Sequence, residues 1–297
     1  MEINRGNLRT IFVGFRTDYQ GAFTEVTPTW NRIAMAVPST TRENQYGWLG
    51  KFPRIREWIG DRVVNSIATA DYTLKNKDYE GTIELDRNDI ADDQLGIYKP
   101  IVQEFGRATA THPDELAWGL LTRGWDELCF DGQPYFDTDH PVLDENGRET
   151  SYSNSGGGSG APWFLIDDRR VIKPVIFQQR QAFNFVALDN PDDANVFFKK
   201  KFIYGTDGRC NVGFSFPQLC YGSRQTLDLT SFEAAYVAMS SLKADYGHPF
   251  GVKPTKLVVG ASNIKAANLI ANSDKLDGDV VNPWKGLVEV VLSEWLQ

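Results

Sequence analysis

The sequence is poor in the residue types that metal sites, disulfide frameworks and many active sites require. It contains three cysteines and three histidines among 297 residues. Cys129, Cys210 and Cys220 form no C-x-x-C pair, and their odd number disfavours both a disulfide framework and a structural zinc site. We therefore expect three buried free thiols in a protein that is made in a reducing compartment.

Long apolar runs and export signals are also missing. No run of about 18 apolar residues is present, so we do not expect a transmembrane helix. The first residues lack the basic start, the apolar stretch and the cleavage site of a signal peptide. These absences predict a protein that is soluble and intracellular where it is made.

Common catalytic and phosphate-binding motifs are absent as well. The chain has no G-x-S-x-G, no H-E-x-x-H, and no G-x-G-x-x-G between a strand and a helix. The glycine-rich run at residues 155–160 lacks the Gly-Lys-Ser/Thr of a phosphate loop, and we interpret it as a flexible connection. The net charge is −8 and the basic run at residues 199–201 stands alone, which disfavours a dedicated nucleic-acid binder.

The remaining composition, 41% hydrophobic and 24% charged, is that of an ordinary globular protein. Residues 1–50 show no sustained period and are predicted to be an irregular arm that gains order on a partner surface. Apolar residues then recur every four positions from Ile55 to Ile67, which predicts an amphipathic helix over residues 51–69 with Trp58 beside the stripe.

The rest of the chain predicts a mixed α+β fold. Residues 70–92 contain two strand patterns around residues 76–78 and predict a polar hairpin that projects, because an isolated hairpin is marginally stable. Residues 93–125 predict a long helical zone that is interrupted at Pro113, since the residue before a proline avoids the helical region. Residues 126–297 pass from turns through predicted strands, among them 163–166, 175–177 and 197–204, to alternating helices and strands.

The most enzyme-like cluster is formed by Asp137, Asp139 and His140. Two carboxylates and an imidazole within four residues have the chemistry to ligate a metal or to transfer protons. On a strand, however, the two aspartates would share one face while His140 would point to the other. We interpret the cluster as a polar turn with satisfied hydrogen bonds, and we assign no catalytic, cofactor-binding or metal-binding residue.

An ordered set of short segments resembles the family of Mu-like prophage major head subunits. The resemblance runs from about residue 45 to the end of the chain, and no single segment is specific by itself. The segments are FPRIREWIGDR at 52–62, DYTLKNK at 71–77, DDQLGIY at 92–98, HPDEL at 112–116, DG at 131–132, FDTDHP at 136–141, KPVIFQ at 173–178, NPWKG at 282–286 and EWL at 294–296.

This resemblance implies the HK97 capsid fold. It divides the chain into an N-terminal arm (1–50), a helix that leads into the P-domain (51–69), an E-loop hairpin (70–92) and the spine-helix region of the P-domain (93–125). Residues 126–297 would form the A-domain, with strands that return to the P-domain. A virion location follows, with assembly in the host cytoplasm.

The resemblance also implies partners: further copies of the chain in hexamers and pentamers, a scaffold protein, a maturation protease, a portal, and packaged DNA as a weak neighbour. A projecting polar hairpin suits charged contacts that determine register. The residues that we predict at contacts between subunits are Arg54, Arg56, Trp58, Arg62, Lys75, Lys77, Glu80 and Glu84.

Two other interpretations stay open from the sequence. The first is an encapsulin-like nanocompartment shell, which has the same fold but encloses an enzyme. The second is a hydrolase that uses Asp137, Asp139 and His140. Cargo would distinguish the first, and loss of activity without loss of folding after substitution of His140 would identify the second.

Overall fold

A computed structural model describes residues 3–50, 72–92, 95–276 and 280–296 of the chain. The helix predicted over residues 51–69, with Arg54, Arg56, Trp58 and Arg62, lies outside these residues. The α-helices in the described part are α1 (Arg5–Glu25), α2 (Arg87–Ala91), α3 (Leu95–Thr122), α4 (Ala194–Lys199), α5 (Leu229–Ser240) and α6 (Ile264–Asn272). The β-strands are β1 (Ala34–Pro38), β2 (Glu43–Gln45), β3 (Thr73–Lys75), β4 (Lys77–Asp86), β5 (His140–Leu143), β6 (Glu149–Tyr152), β7 (Ser155–Gly158), β8 (Trp163–Ile166), β9 (Val175–Leu188), β10 (Lys201–Phe214), β11 (Cys220–Arg224), β12 (Lys243–Ala244), β13 (His248–Pro249), β14 (Lys256–Val259) and β15 (Glu289–Leu292).

The N-terminal segment is helical, so the prediction of an irregular arm over residues 1–50 is wrong for its first half. Asn4 caps α1, because its side chain accepts a hydrogen bond from the backbone N–H of Asn7 at 2.9 Å. One face of α1 is buried against α3 and the long strands. Its buried residues are Leu8, Ile11, Phe15 and Tyr19. Their spacing of three or four residues is that of a helix face, but glycines and threonines between them weaken the pattern.

Helix α3 confirms the long helical zone but not its interruption. It runs unbroken from Leu95 to Thr122 with Pro100 and Pro113 inside it. A proline inside a helix removes one backbone hydrogen bond and costs roughly 3 kcal/mol. Here the packing of a fully buried Trp118 and its neighbours outweighs that cost.

A four-stranded sheet carries α1 and α3 and has the strand order β1-β9-β10-β4. Strands β9 and β10 form a ribbon of two 14-residue strands, joined by the short helix α4. The predicted hairpin with a turn at residues 76–78 is wrong, because β3 and β4 follow one another in one direction. Strand β4 pairs with β10, whereas β3 pairs with β2. The local pattern is that of strands in either case, and only the tertiary pairing decides between a turn and a continuation.

A five-stranded sheet with the order β15-β14-β8-β11-β7 forms the second layer. Its central strand β8 is buried on both faces. Trp163 and Leu165 face α5 and α6, while Phe164 and Ile166 face α3 and the long ribbon. The glycine-rich run is not a flexible connection, since residues 155–158 form the edge strand β7.

Candidate assembly surface and a buried histidine site

Four of the predicted contact residues lie in the described part of the chain, on β3 and β4. Lys75, Lys77, Glu80 and Glu84 are all exposed. The carboxylate of Glu84 forms an ion pair with Lys201 on the neighbouring strand. Its charge is therefore already balanced within the subunit, and three of the four side chains remain as candidates for a contact with another chain.

Strands β2 and β3 form a two-stranded sheet, which we call the β2–β3 base. They pair antiparallel, with Glu43 opposite Lys75 and Gln45 opposite Thr73. The chain leaves this base after β2 and returns to it before β3, so residues 46–72 form the connection. The two ends of that connection are therefore held next to each other in space.

Buried hydrogen bonds fix this base to the core. Gln178 on β9 accepts from the Tyr46 hydroxyl at 2.7 Å, and its amide donates to the Asn76 side-chain oxygen at 2.8 Å. The Asn76 amide donates in turn to the Ser39 hydroxyl at 2.9 Å. Because a buried polar group without a partner is costly, such a network admits few alternative arrangements.

The far end of the β9–β10 ribbon has an apolar surface. Phe197 and Phe198 lie on α4, at the tip of the β9–β10 ribbon, with 74% and 79% of their surface exposed. The two rings pack edge to face with centroids 5.0 Å apart. Lys200 ends α4 in a left-handed conformation and returns the chain to β10. Two adjacent phenyl rings that touch little but each other are typical of a surface that a partner covers.

The cluster of Asp137, Asp139 and His140 does not come together as a catalytic site. His140 is fully buried and its ring points inward, whereas Asp139 is exposed. The Asp137 carboxylate accepts from the backbone N–H of Thr138 at 2.6 Å. This arrangement agrees with the interpretation of the segment as a polar turn.

His140 instead lies in a buried cluster with Asp131 and Cys129, two residues that the sequence pattern does not link to it. Its Nδ1 lies 2.7 Å from the carboxylate of Asp131, and the other oxygen of that carboxylate accepts from the Cys129 thiol at 2.9 Å. Candidate ligand atoms of the three residues all lie within 4.8 Å of one another. Asp131 belongs to the DG pair at 131–132, which the sequence does mark. Its contact with His140, nine residues later, depends on the conformation of the loop between them.

Burial and hydrogen bonding oppose each other at this site. Burial favours the neutral form of Asp131, but hydrogen bonds from His140, the Cys129 thiol and the Gln133 N–H outweigh it and hold the Asp131 pKa below its usual range. Burial, together with Asp131, raises the pKa of Cys129. The thiol is therefore a protonated donor, and all three cysteines are buried and free, as predicted.

In the residues that the structure describes, no helix combines the length and the apolar character needed to cross a membrane.

Comparison with known proteins identifies relatives over the whole length of the chain. Residues 8–296 match the sequence profile of the family described as Mu-like prophage major head subunit gpT. The major capsid protein of Escherichia phage Mu is 38% identical over 305 aligned residues, which cover 100% of both chains. The FluMu prophage major head subunit of Haemophilus influenzae is 36% identical and covers 88% of this chain and 87% of its own.

Solved structures agree with the sequence relatives. The procapsid of bacteriophage JBD30 matches with a TM-score of 0.87 and 41% identity, over 99% of this chain and 100% of its own. The JBD30 capsid matches with a TM-score of 0.78 and 32% identity, over 92% of each chain.

Proposed function

Because the chain belongs to the family of Mu-like prophage major head subunits, we propose that its copies form the hexamers and pentamers of an icosahedral shell that encloses double-stranded DNA. The protein is a major capsid protein of a Mu-like phage, and its location is the virion. Its fold is the predicted α+β fold of HK97-like capsid proteins. Rings of identical subunits arise from heterologous contacts that close on themselves.

The main structural support for this proposal is that the interior of the subunit is well packed, whereas the apolar tip of the ribbon is exposed. The tip presents Phe197 and Phe198 next to a basic run, Lys199–Lys201, and to acidic residues at 189, 192 and 193. One of these carboxylates, that of Asp192, pairs with Arg5 at 3.0 Å. A surface that combines an apolar centre with charges of both signs suits a second copy of the same chain.

We propose that residues 51–71, which connect the two strands of the β2–β3 base, contribute to contacts with a neighbouring subunit, in place of the hairpin first predicted at 70–92. The support is the β2–β3 base with its buried network, which fixes both ends of this segment. Arg54, Arg56, Trp58 and Arg62 belong to this segment by sequence, so they remain candidates for contacts with a neighbour. The exposed Lys75 lies in the base itself, and Lys77 and Glu80 follow it on β4. We include all three in the same candidate contact.

A catalytic role is not part of the proposed function. The family is one of structural capsid proteins, and the imidazole of His140 is enclosed by the protein and engaged on both nitrogens. A scaffold protein, a maturation protease and a portal are proposed partners on the strength of the family alone. The acidic balance of the chain fits weak contact with packaged DNA, because like charges repel.

The test is an assembly experiment on the ribbon tip. The chain is co-expressed with the scaffold gene product of its own phage or prophage, and particles are counted by electron microscopy and light scattering. Replacing Phe197 and Phe198 by Asp should abolish closed shells while leaving a folded subunit, because buried carboxylates without partners are costly at an interface.

Two controls make the result interpretable. Replacing both phenylalanines by Leu keeps an apolar tip and should retain shells. Replacing Val171, which is 90% exposed but isolated, by Ser should leave assembly unchanged, because single exposed apolar residues are common on free surfaces. Normal shells from the Asp variant would contradict the assignment of the tip.

Reversing the charge of Arg54 and Arg56 to Glu tests these predicted contact residues. We expect a lower yield of shells with an unchanged folded subunit, because a pairing with carboxylates of a neighbour would become a repulsion. The matched control is Arg148→Glu, an exposed arginine between β5 and β6 and outside the predicted contact. Equal yields from both variants would remove these arginines from the contact.

A further inference from the structure

A cleft lies beside the ribbon tip, between the beginning of α1 and the end of β9. We call it the α1–β9 cleft, and it has a volume of about 360 Å³. Leu8 is buried at its floor, together with the half-buried Phe12 and Ala187. The exposed Arg5 and Arg9 form its rim. Because clefts that hold drug-sized ligands begin at about 300 Å³, this one has room for an aromatic ring.

The cleft and the ribbon tip form one continuous end of the subunit. Asp189 and Asn190 line the cleft near the end of β9, and the chain runs from them directly into α4. An ion pair of 3.0 Å between Arg5 and Asp192 connects the rim of the cleft to the same segment. One contact with another chain can therefore use the phenyl rings of α4 and the cleft beside them.

The cleft and the ribbon tip both carry charges of both signs. In the part of the chain that the structure describes, neither Arg9 nor Asp189 forms an ion pair. Burial raises the pKa of Asp189, since the hydrogen bond from the Tyr204 hydroxyl offsets only part of the cost of burying its charge. The tip carries Asp193 and the basic run at 199–201. An acidic side chain of one tip can thus pair with Arg9 of another copy, and a lysine with Asp189.

We propose that the α1–β9 cleft of one copy receives the ribbon tip of another copy, with a phenyl ring of Phe197 or Phe198 on its apolar floor. This pairing rests on the proposed function, because it names the surface that covers the tip in the shell. A guanidinium group is attracted to the face of an aromatic ring, so Arg5 and Arg9 at the rim suit these side chains. Every copy has both a tip and a cleft, and a head-to-tail contact of this kind can repeat until a ring closes.

A second copy fits the cleft better than a nucleic acid does. Asp189 lies in the lining and Asp192 lies beside Arg5, so two carboxylates repel a phosphate chain where the arginines would attract it. The apolar floor gives a phosphate no hydrogen bond. Two phenyl rings that are 74% and 79% exposed, with charges of both signs beside them, match the floor and the rim together.

Filling the cleft from β9 tests the pairing without changing the tip. In co-expression with the scaffold gene product, Ala187→Trp should lower the yield of closed shells by about tenfold or more, because the central pocket of a contact supplies much of its binding energy. The unassembled subunit should keep its circular dichroism spectrum and its affinity for the scaffold protein. Val186→Trp is the matched control, since residue 186 lies on the opposite face of the same strand and is 45% exposed.

The two tryptophan variants separate the pairing from the proposed function. Equal shell yields from both would overturn the pairing, even where replacement of Phe197 and Phe198 by Asp abolishes shells, because assembly would then use the tip without the cleft. Loss of scaffold binding by Ala187→Trp would assign the cleft to the scaffold protein and would overturn the pairing as well.

Arginine variants test the rim and leave the core of the subunit intact. Arg9→Glu should also lower the yield of shells, because it places a carboxylate beside Asp189 and opposite the acidic residues of the other tip. Arg16→Glu is the matched control, an exposed arginine about two turns further along α1 and outside the cleft. Equal yields would contradict the pairing. Since both arginines are exposed, these variants also decide the case in which Ala187→Trp does not fold.

Disulfide trapping in assembled shells measures the contact directly. The three native cysteines are buried, so only introduced thiols should react. A chain with both Arg9→Cys and Lys199→Cys should give covalent dimers and longer multimers after mild oxidation, whereas each single variant should stay monomeric. Monomers from the double variant would overturn the pairing. Dimers from Lys199→Cys alone would show that tips meet tips, and would overturn it too.

Discussion

Strand β8 and the tip of the β9–β10 ribbon both carry phenylalanines, but these side chains are buried on β8 and exposed at the tip. All four side chains of β8 are buried, and Phe164 is among the largest fully buried side chains of the described residues. Phe198, on α4, leaves 79% of its surface exposed. Since burial of a large apolar side chain is worth about 2–3 kcal/mol, the subunit by itself completes the interior and leaves the tip to be covered. The comparison separates the residues that fold the subunit from those that we assign to assembly.

The largest effect is expected when the same substitution, Phe to Ala, is made at residue 164 in β8 and at residue 198 in the ribbon tip. Phe164→Ala should destabilise the subunit by about 3–5 kcal/mol, through lost transfer energy and a cavity, and should reduce the yield of soluble protein. Phe198→Ala removes the same atoms but should change the free energy of unfolding of the unassembled subunit by less than about 0.5 kcal/mol. Chemical denaturation of unassembled subunits measures both values.

The order of the two positions should be different when assembly is measured instead of stability. Phe198→Ala should lower the yield of closed shells, whereas the stability of the free subunit should stay constant. If Phe198→Ala destabilised the free subunit as much as Phe164→Ala, the tip would belong to the folding core and the distinction would fail.

A smaller effect is expected at the buried network that fixes the β2–β3 base to the core. Gln178→Ala removes the acceptor of the buried Tyr46 hydroxyl and the donor to the Asn76 side-chain oxygen, which should cost about 1–3 kcal/mol of unfolding free energy. Gln179→Ala is the matched control, because the neighbouring side chain on β9 is exposed. Denaturant midpoints of the two variants make the comparison, and equal midpoints would show that the network does not stabilise the base.

The smallest effect is expected at the exposed ion pair between β4 and β10. Glu84→Gln and Lys201→Gln should each change the free energy of unfolding by less than about 1 kcal/mol, because exposed ion pairs gain little and are screened by salt. A double-mutant cycle at low and high salt measures the coupling. A coupling above about 2 kcal/mol that resisted salt would contradict the description of Glu84 and Lys201 as an exposed ion pair.

The same comparison shows which parts of the fold could be predicted from the sequence. The apolar run of β8 and the long helical zone were predicted at the correct positions, because a buried strand and a core-facing helix carry strong local patterns. Pro113 was misjudged because the packing of α3 outweighs a local preference. The turn at residues 76–78 was misplaced because pairing partners distant in sequence determine it.

The candidate surfaces were predicted less well than the fold. Residues 197–204 were predicted to be a strand, but α4 occupies 194–199 and β10 begins at Lys201. The exposure of Phe197 and Phe198 has no signature in the sequence, because an apolar pair in a strand pattern normally predicts burial. Likewise, the link between Asp131 and His140 depends on the conformation of the intervening loop.

The most direct test of the account is a structure of the shell assembled from this chain by electron cryo-microscopy. We predict a shell in which α4 of one subunit contacts another subunit, so that Phe197 and Phe198 lose most of their exposed surface. Arg54 and Arg56 should contact a neighbouring subunit in the same map. A closed shell in which both phenyl rings remain in solvent would contradict the assignment of the ribbon tip to assembly.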